Sequence, residues 1–141
     1  MRHLLLGYRS LMEDGLREAG LTLPQLRLLR AVEQKTGVSA AALARMCHVT
    51  PQTMQAVLTR AVRERWIVRG RSDRNERIVT ASLTRQGRSV LERGMRMAAR
   101  IEEELWRGIP VADLKRLNAL LEAGVANLDE RMGAAQGGEE A

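Results

Sequence analysis

The sequence predicts a mainly α protein with one small β-hairpin: a winged helix-turn-helix flanked by long dimerisation helices. Three observations carry that reading. Apolar residues recur at helical spacing along most of the chain, the period falls to about two between residues 66 and 83, and positive charge concentrates in the middle. A length of 141 residues and a 45% hydrophobic content suit one domain with a core of its own.

The charge is uneven. Residues 45–100 hold thirteen basic and four acidic side chains, a net of +9, whereas residues 101–141 hold four basic and nine acidic, a net of −5. Of the 23 basic residues 21 are arginine, the side chain that forks onto phosphate and guanine. The middle of the chain therefore wants a polyanion. An anionic membrane surface would call for one basic amphipathic helix with a broad apolar face, but here the charge spans a helix, a strand pair and a further helix. No apolar run approaches the roughly 18 to 20 residues of a membrane span, and the N-terminus has no secretory pattern, which makes the cytoplasm the expected compartment. One cysteine, Cys47, and two histidines, His3 and His48, leave no disulfide framework and no expected metal site. No cofactor motif is present.

Taken in order, residues 4–19 place Leu4, Leu5, Tyr8, Leu11, Met12 and Leu16 at helical spacing, with Gly20 as a stop. Thr22 and Gln25 form a capping box that opens a second helix, with Leu26, Leu28, Leu29 and Val32 inward, ending near Gly37. Ser39 caps a short alanine-rich helix over residues 40–47. His48 and Val49 then form a tight link to the next element, and the pair makes a helix-turn-helix.

Residues 50–65 read as the recognition helix. Thr50 is its N-cap and Pro51 occupies the first helical position, where no N–H is missed. Met54, Val57, Leu58 and Ala61 fall on one apolar stripe, leaving Gln52, Thr53, Gln55, Ala56, Thr59, Arg60 and Arg63 outward on a face without carboxylates. Small and hydrogen-bonding side chains of this kind fit base edges and phosphates in a major groove, although they also occur on ordinary solvated faces.

After this helix, residues 66–71 and 77–83 are β-rich and flank a polar loop over residues 72–76, as in a hairpin. Arg74 at the loop centre is expected to project toward a minor groove, and Arg77 to start the returning strand. Thr84 caps a long helix to about residue 107, and Pro110 starts a last helix to about residue 132 with Leu114, Leu117, Leu121, Val125 and Leu128 as its stripe. These stripes exceed what one small domain covers, so burial against a second copy is expected. The expected organisation is a single unit over residues 1–132, with the winged helix at about 22–83, dimerisation helices at about 3–19, 84–107 and 110–132, and a disordered tail from residue 133.

The ordered set of motifs resembles the MarR family of bacterial transcription regulators. Leu21-Thr22-Leu23-Pro24-Gln25, Leu43-Ala44-Arg45, Val49-Thr50-Pro51-Gln52-Thr53, and Arg74-Asn75-Glu76-Arg77 with Leu83-Thr84-x-x-Gly87 carry the likeness, over roughly residues 4–132. The resemblance implies a homodimer built from the first and last two helices, two winged helices on a pseudo-palindromic operator, and a repressor released by a small phenolic or aromatic ligand or by cysteine oxidation. The outward face of residues 50–65 and the wing put the expected DNA contacts at Thr50, Pro51, Gln52, Thr53, Gln55, Ala56, Thr59, Arg60, Arg74 and Arg77. Two positions depart from the pattern. Ser72 replaces the aspartate that usually begins the wing, and Arg65 stands where the family mostly has a glycine, at a left-handed position that costs a side chain roughly 1 kcal/mol.

Tyr8, Trp66 and Trp106 are candidates to line a ligand pocket, and each is equally a candidate for plain core. Cys47 lacks a second cysteine to resolve an oxidised form, so structural burial is the expected role. No nucleophile with a base partner appears, and enzyme activity is not expected. The competing reading is a winged-helix protein-interaction module without specific DNA binding.

Overall fold

The computed structural model describes residues 1–35, 38–72 and 75–137; for residues 71, 72, 75–80 and 131–137 the description is of the backbone alone. Six helices and two strands follow in the order α1 (Arg2–Glu18), α2 (Leu23–Gln34), α3 (Ala40–Met46), α4 (Pro51–Arg63), β1 (Ile67–Ser72), β2 (Asn75–Leu83), α5 (Arg85–Leu105) and α6 (Val111–Gly137). They form two compact units, Met1–Leu105 and Trp106–Ala141. The sequence reading expects one unit to residue 132.

Helices α2 to α5 each start where a side chain satisfies a free N–H, whereas α1 begins at Met1 without a side-chain cap. Thr22 accepts from the Gln25 amide while the Gln25 side chain accepts from the Thr22 amide at 2.9 Å, so the capping box of α2 is complete. Ser39 accepts from Ala42 N at 3.2 Å, Thr50 from Thr53 N at 3.1 Å and Thr84 from Gly87 N at 2.9 Å. All four caps lie where the sequence places them. The far ends of these helices differ by one to three residues from expectation, because a helix end is decided by what the chain does next.

Three helices close with the same pair of backbone bonds. Gly20 donates to Arg17 O and Leu21 to Leu16 O after α1; His48 donates to Arg45 O and Val49 to Ala44 O after α3; Arg65 donates to Val62 O and Trp66 to Ala61 O after α4. Each requires one left-handed residue, and these are Gly20 at φ 75°, His48 at φ 53° and Arg65 at φ 59°. Arg65 thus adopts the strained conformation its place in the family pattern implies.

The Leu-Thr-x-x-Gly motif has a direct physical basis. Leu83 pairs with Ile67 in the antiparallel sheet, and the Thr84 hydroxyl donates to Arg65 O at 2.6 Å while the Thr84 amide donates to Trp66 O at 3.0 Å. A Cβ built on Gly87 would lie 1.9 Å from Trp66 O, so only glycine lets α5 begin this close to the chain leaving α4. The wing and α5 are thereby fixed to the end of α4.

In the hairpin, β1 pairs with β2 from Ile67↔Leu83 to Arg71↔Val79, and Ser72 then pairs with Asn75 across an irregularity. Pairing therefore reaches into the stretch expected as a five-residue loop. Arg77 lies inside β2 and does not begin it, because backbone hydrogen bonding to β1 continues to Asn75. Arg74 lies outside the described residues.

The core of the first unit is a single cluster in which Leu16, Leu28, Leu29, Met54, Ile67 and Cys47 are fully buried. Each such aliphatic side chain contributes about 1.5–3 kcal/mol through removal from water. Trp66 joins this core. The second unit differs: α6 extends to Gly137, five residues past the end expected from sequence, while residues 138–141 lie outside the described residues.

Candidate nucleic-acid interface

Helix α4 is presented by what it buries. Met54, Leu58 and Ala61 sit in the core and Val57 is half-buried, which turns Pro51, Gln52, Thr53, Gln55, Ala56, Thr59, Arg60 and Arg63 to the exterior. The Thr50 hydroxyl accepts from the Thr53 amide and donates to the Thr53 hydroxyl at 2.9 Å, so the first turn is rigid and Thr53 keeps its own proton free to donate. Glutamines on such a turn match the paired donor and acceptor of adenine, and Ala56 is small enough to approach a thymine methyl.

The outward residues of α4 carry no carboxylate, but Glu64 at the helix C-cap comes within 3.8 Å of the Arg60 guanidinium. The pair is long and solvent-exposed, so it contributes little and leaves Arg60 available to a phosphate. Beside the end of α4, Arg65, Arg69 and Arg85 line an open groove of about 610 Å³ together with Thr84 and Gln86. These arginines extend the basic surface beyond the recognition helix.

A second concavity, of about 720 Å³, opens among α1, α2, the turn after α3 and α5. Tyr8, Arg27, Arg30, His48, Val49 and Met95 are among its lining residues. Arg9 and Glu13 also line it but neutralise each other at 2.8 Å. Arg27 and Arg30, three residues apart on one side of α2, have no carboxylate within ion-pair distance among the described residues. The Tyr8 phenol is pushed above its usual range chiefly by burial, then by the Glu102 carboxylate, with Arg27 pulling the other way.

Of the three aromatic candidates, Tyr8 lines this cavity, Trp66 is core, and Trp106 opens the second unit and is absent from the lining. Arg27 and His48 were not legible as cavity residues, because their meeting depends on how α2 packs against the helix-turn-helix. Cys47 is buried, and burial raises its thiol pKa despite the nearby Arg27, which favours the unreactive thiol. Among the described residues no cluster suited to a metal ion occurs, and no helix is long and apolar enough to cross a membrane.

Two capped helices joined by a left-handed turn, with a hairpin pinned behind the second, define a winged helix-turn-helix protein. A family model described as MarR family matches residues 19–78. The chain is 33% identical over 114 residues to the HTH-type transcriptional repressor Rv2887 of Mycobacterium tuberculosis, covering 81% of this chain and 76% of that protein. The solved structure of Rv2887 in complex with salicylic acid is 28% identical and superposes with a TM-score of 0.72 over 86% of this chain and 90% of the other. The structure of Rv2887 in complex with DNA is 25% identical, with a TM-score of 0.70 over 86% and 91%. This chain belongs to the MarR family.

Proposed function

We propose that the protein is a dimeric, sequence-specific DNA-binding transcription regulator of the cytoplasm, a repressor that leaves its operator when a small aromatic or phenolic ligand binds. The observation that carries this reading is the rigidly capped first turn of α4, which exposes Gln52, Thr53 and Gln55 while Met54 and Leu58 anchor the helix from behind. Base edges are read from that turn, and Arg60, Arg63 and the arginines beyond it fix the register on phosphates. Arg74 and Arg77 are assigned to the wing's contact on sequence alone.

Assembly as a homodimer is supported by apolar surface that neither unit covers. Leu4, Leu5, Leu6 and Leu11 of α1 are exposed, as are Leu120, Leu121, Val125 and Leu128 of α6. A two-fold pair would set two recognition helices on half-sites of a pseudo-palindrome about one helical turn, roughly 34–36 Å, apart. Release by a ligand is supported by the cavity beside the helix-turn-helix, whose mostly apolar wall carries Arg27 and Arg30 as well as Glu102, and by the salicylic acid bound to Rv2887. No cofactor and no catalytic step enter this function.

The test is duplex selection from genomic DNA, followed by affinity measurement at graded salt. The regulator recovers a two-fold-related sequence, and its log affinity falls linearly with log salt concentration, with a slope of about −0.9 for each phosphate neutralised. A winged helix used only for protein contacts would recover no sequence and show no such slope.

A further inference from the structure

The turn between α3 and α4 is held by one bond that comes from the cavity wall. After α3, the backbone amides of His48 and Val49 occupy the carbonyls of Arg45 and Ala44, but the carbonyl of Cys47, the C-cap, is left outside that pattern. It is taken by Arg27 Nη1 of α2 at 3.2 Å, across twenty residues of sequence. The same guanidinium lines the 720 Å³ cavity, as do His48 and Val49 of the turn itself. His48 is left-handed at φ 53°, a conformation that costs a side chain, so the Arg27 bond adds to the two backbone bonds that hold the turn, and Thr50, the cap of the recognition helix, follows two residues later.

From this arrangement we infer that Arg27 is the positioning residue that couples the cavity to the DNA-reading helix: an anionic ligand in the cavity draws the guanidinium from Cys47 O and frees the turn that sets the start of α4. This rests on the reading of the cavity as the effector site. The competition favours the ligand. A carboxylate accepts two parallel charge-assisted bonds from a guanidinium, each stronger than the single bond to a neutral carbonyl. Arg30, also in the cavity wall, offers the ligand a second cation that has no part in holding the turn. By linkage, a ligand that favours the released turn must lose affinity when DNA favours the held one.

The experiment uses the full chain, salicylate as probe, and the variants Arg27→Gln, Arg27→Lys and Arg30→Gln, with thermal unfolding measured to show that each is folded. In the unsubstituted protein, salicylate binds, weakens operator binding about tenfold, and shifts the ¹³C resonance of the Cys47 carbonyl. Arg27→Gln alone, without ligand, already loses about tenfold in operator affinity; it still binds salicylate through Arg30, and saturating salicylate then adds little. Arg27→Lys, which keeps the charge but not the fork, falls between. Arg30→Gln binds salicylate more weakly, yet at saturation shows the full loss on DNA. Normal ligand-free operator affinity in Arg27→Gln, or a full salicylate response in it, overturns the coupling role alone. If salicylate fails to bind the unsubstituted protein, the effector reading falls and the coupling with it.

Discussion

Helix α4 buries Met54, Leu58 and Ala61 to 4% exposure or less, whereas α6 leaves Leu120, Leu121, Val125 and Leu128 between 45% and 64% exposed. Both helices carry apolar residues three and four apart, so their patterns alone do not separate them. What differs is the cover. The stripe of α4 meets α2, α3 and β1 within its own chain, and its polar face is thereby aimed outward. On α6, Leu121, Val125 and Leu128 of the stripe stay exposed, and apolar surface repeated along a 27-residue helix is what a second copy would bury. One stripe turns a polar face outward; the other leaves apolar surface exposed.

The sharpest way to break the first half of that contrast is Gly87→Ala. The added methyl meets the Trp66 carbonyl, so the clamp between α5, β1 and the end of α4 has to open, at a cost of about 3 kcal/mol or more. Denaturant unfolding should show this loss, and unchanged stability would mean that the clamp does not hold α4. For α6, Leu121, Val125 and Leu128 replaced together by glutamate should yield a folded monomer by sedimentation. Operator affinity should fall by on the order of a hundredfold or more as the two half-sites cease to be bound together. A persistent dimer would show that this stripe is not the interface.

Gln55→Ala probes the outcome of burial on α4, the outward reading face. It should cost roughly 1 to 3 kcal/mol on the operator and little on random duplex. Equal losses on both would move base reading elsewhere on the surface. The smallest effect is expected for Arg65→Gly, which relieves the left-handed backbone at φ 59° and should raise stability by about 1 kcal/mol in the same unfolding assay. A loss of stability there would show that the Arg65 side chain contributes more to the end of α4 than its backbone conformation costs.

The order of elements was legible in the sequence because the signals that start helices are local. Thr22 with Gln25, Ser39 with Ala42, Thr50 with Thr53 and Thr84 with Gly87 are all side-chain-to-backbone bonds spanning three residues, and no tertiary contact is needed to foresee them. The outward face of α4 was legible for a similar reason, since a strong stripe at a fixed period fixes the opposite face as well. The wing was less so. Strand pairing joins residues whose register depends on the turn between them, and bonding between Ser72 and Asn75 replaced the longer loop that their polarity implied.

The sequence by itself thus determined where helices begin, which face of each is apolar, and that the middle of the chain is cationic, because periodicity, capping and charge are properties of neighbouring residues. Only the tertiary structure decided that Arg27 reaches the Cys47 carbonyl twenty residues away and that Trp66 O occupies the space a side chain at position 87 would need. Those features arise from the approach of segments distant in the chain. Close packing fixes such distances to a fraction of an ångström, and no local pattern encodes them.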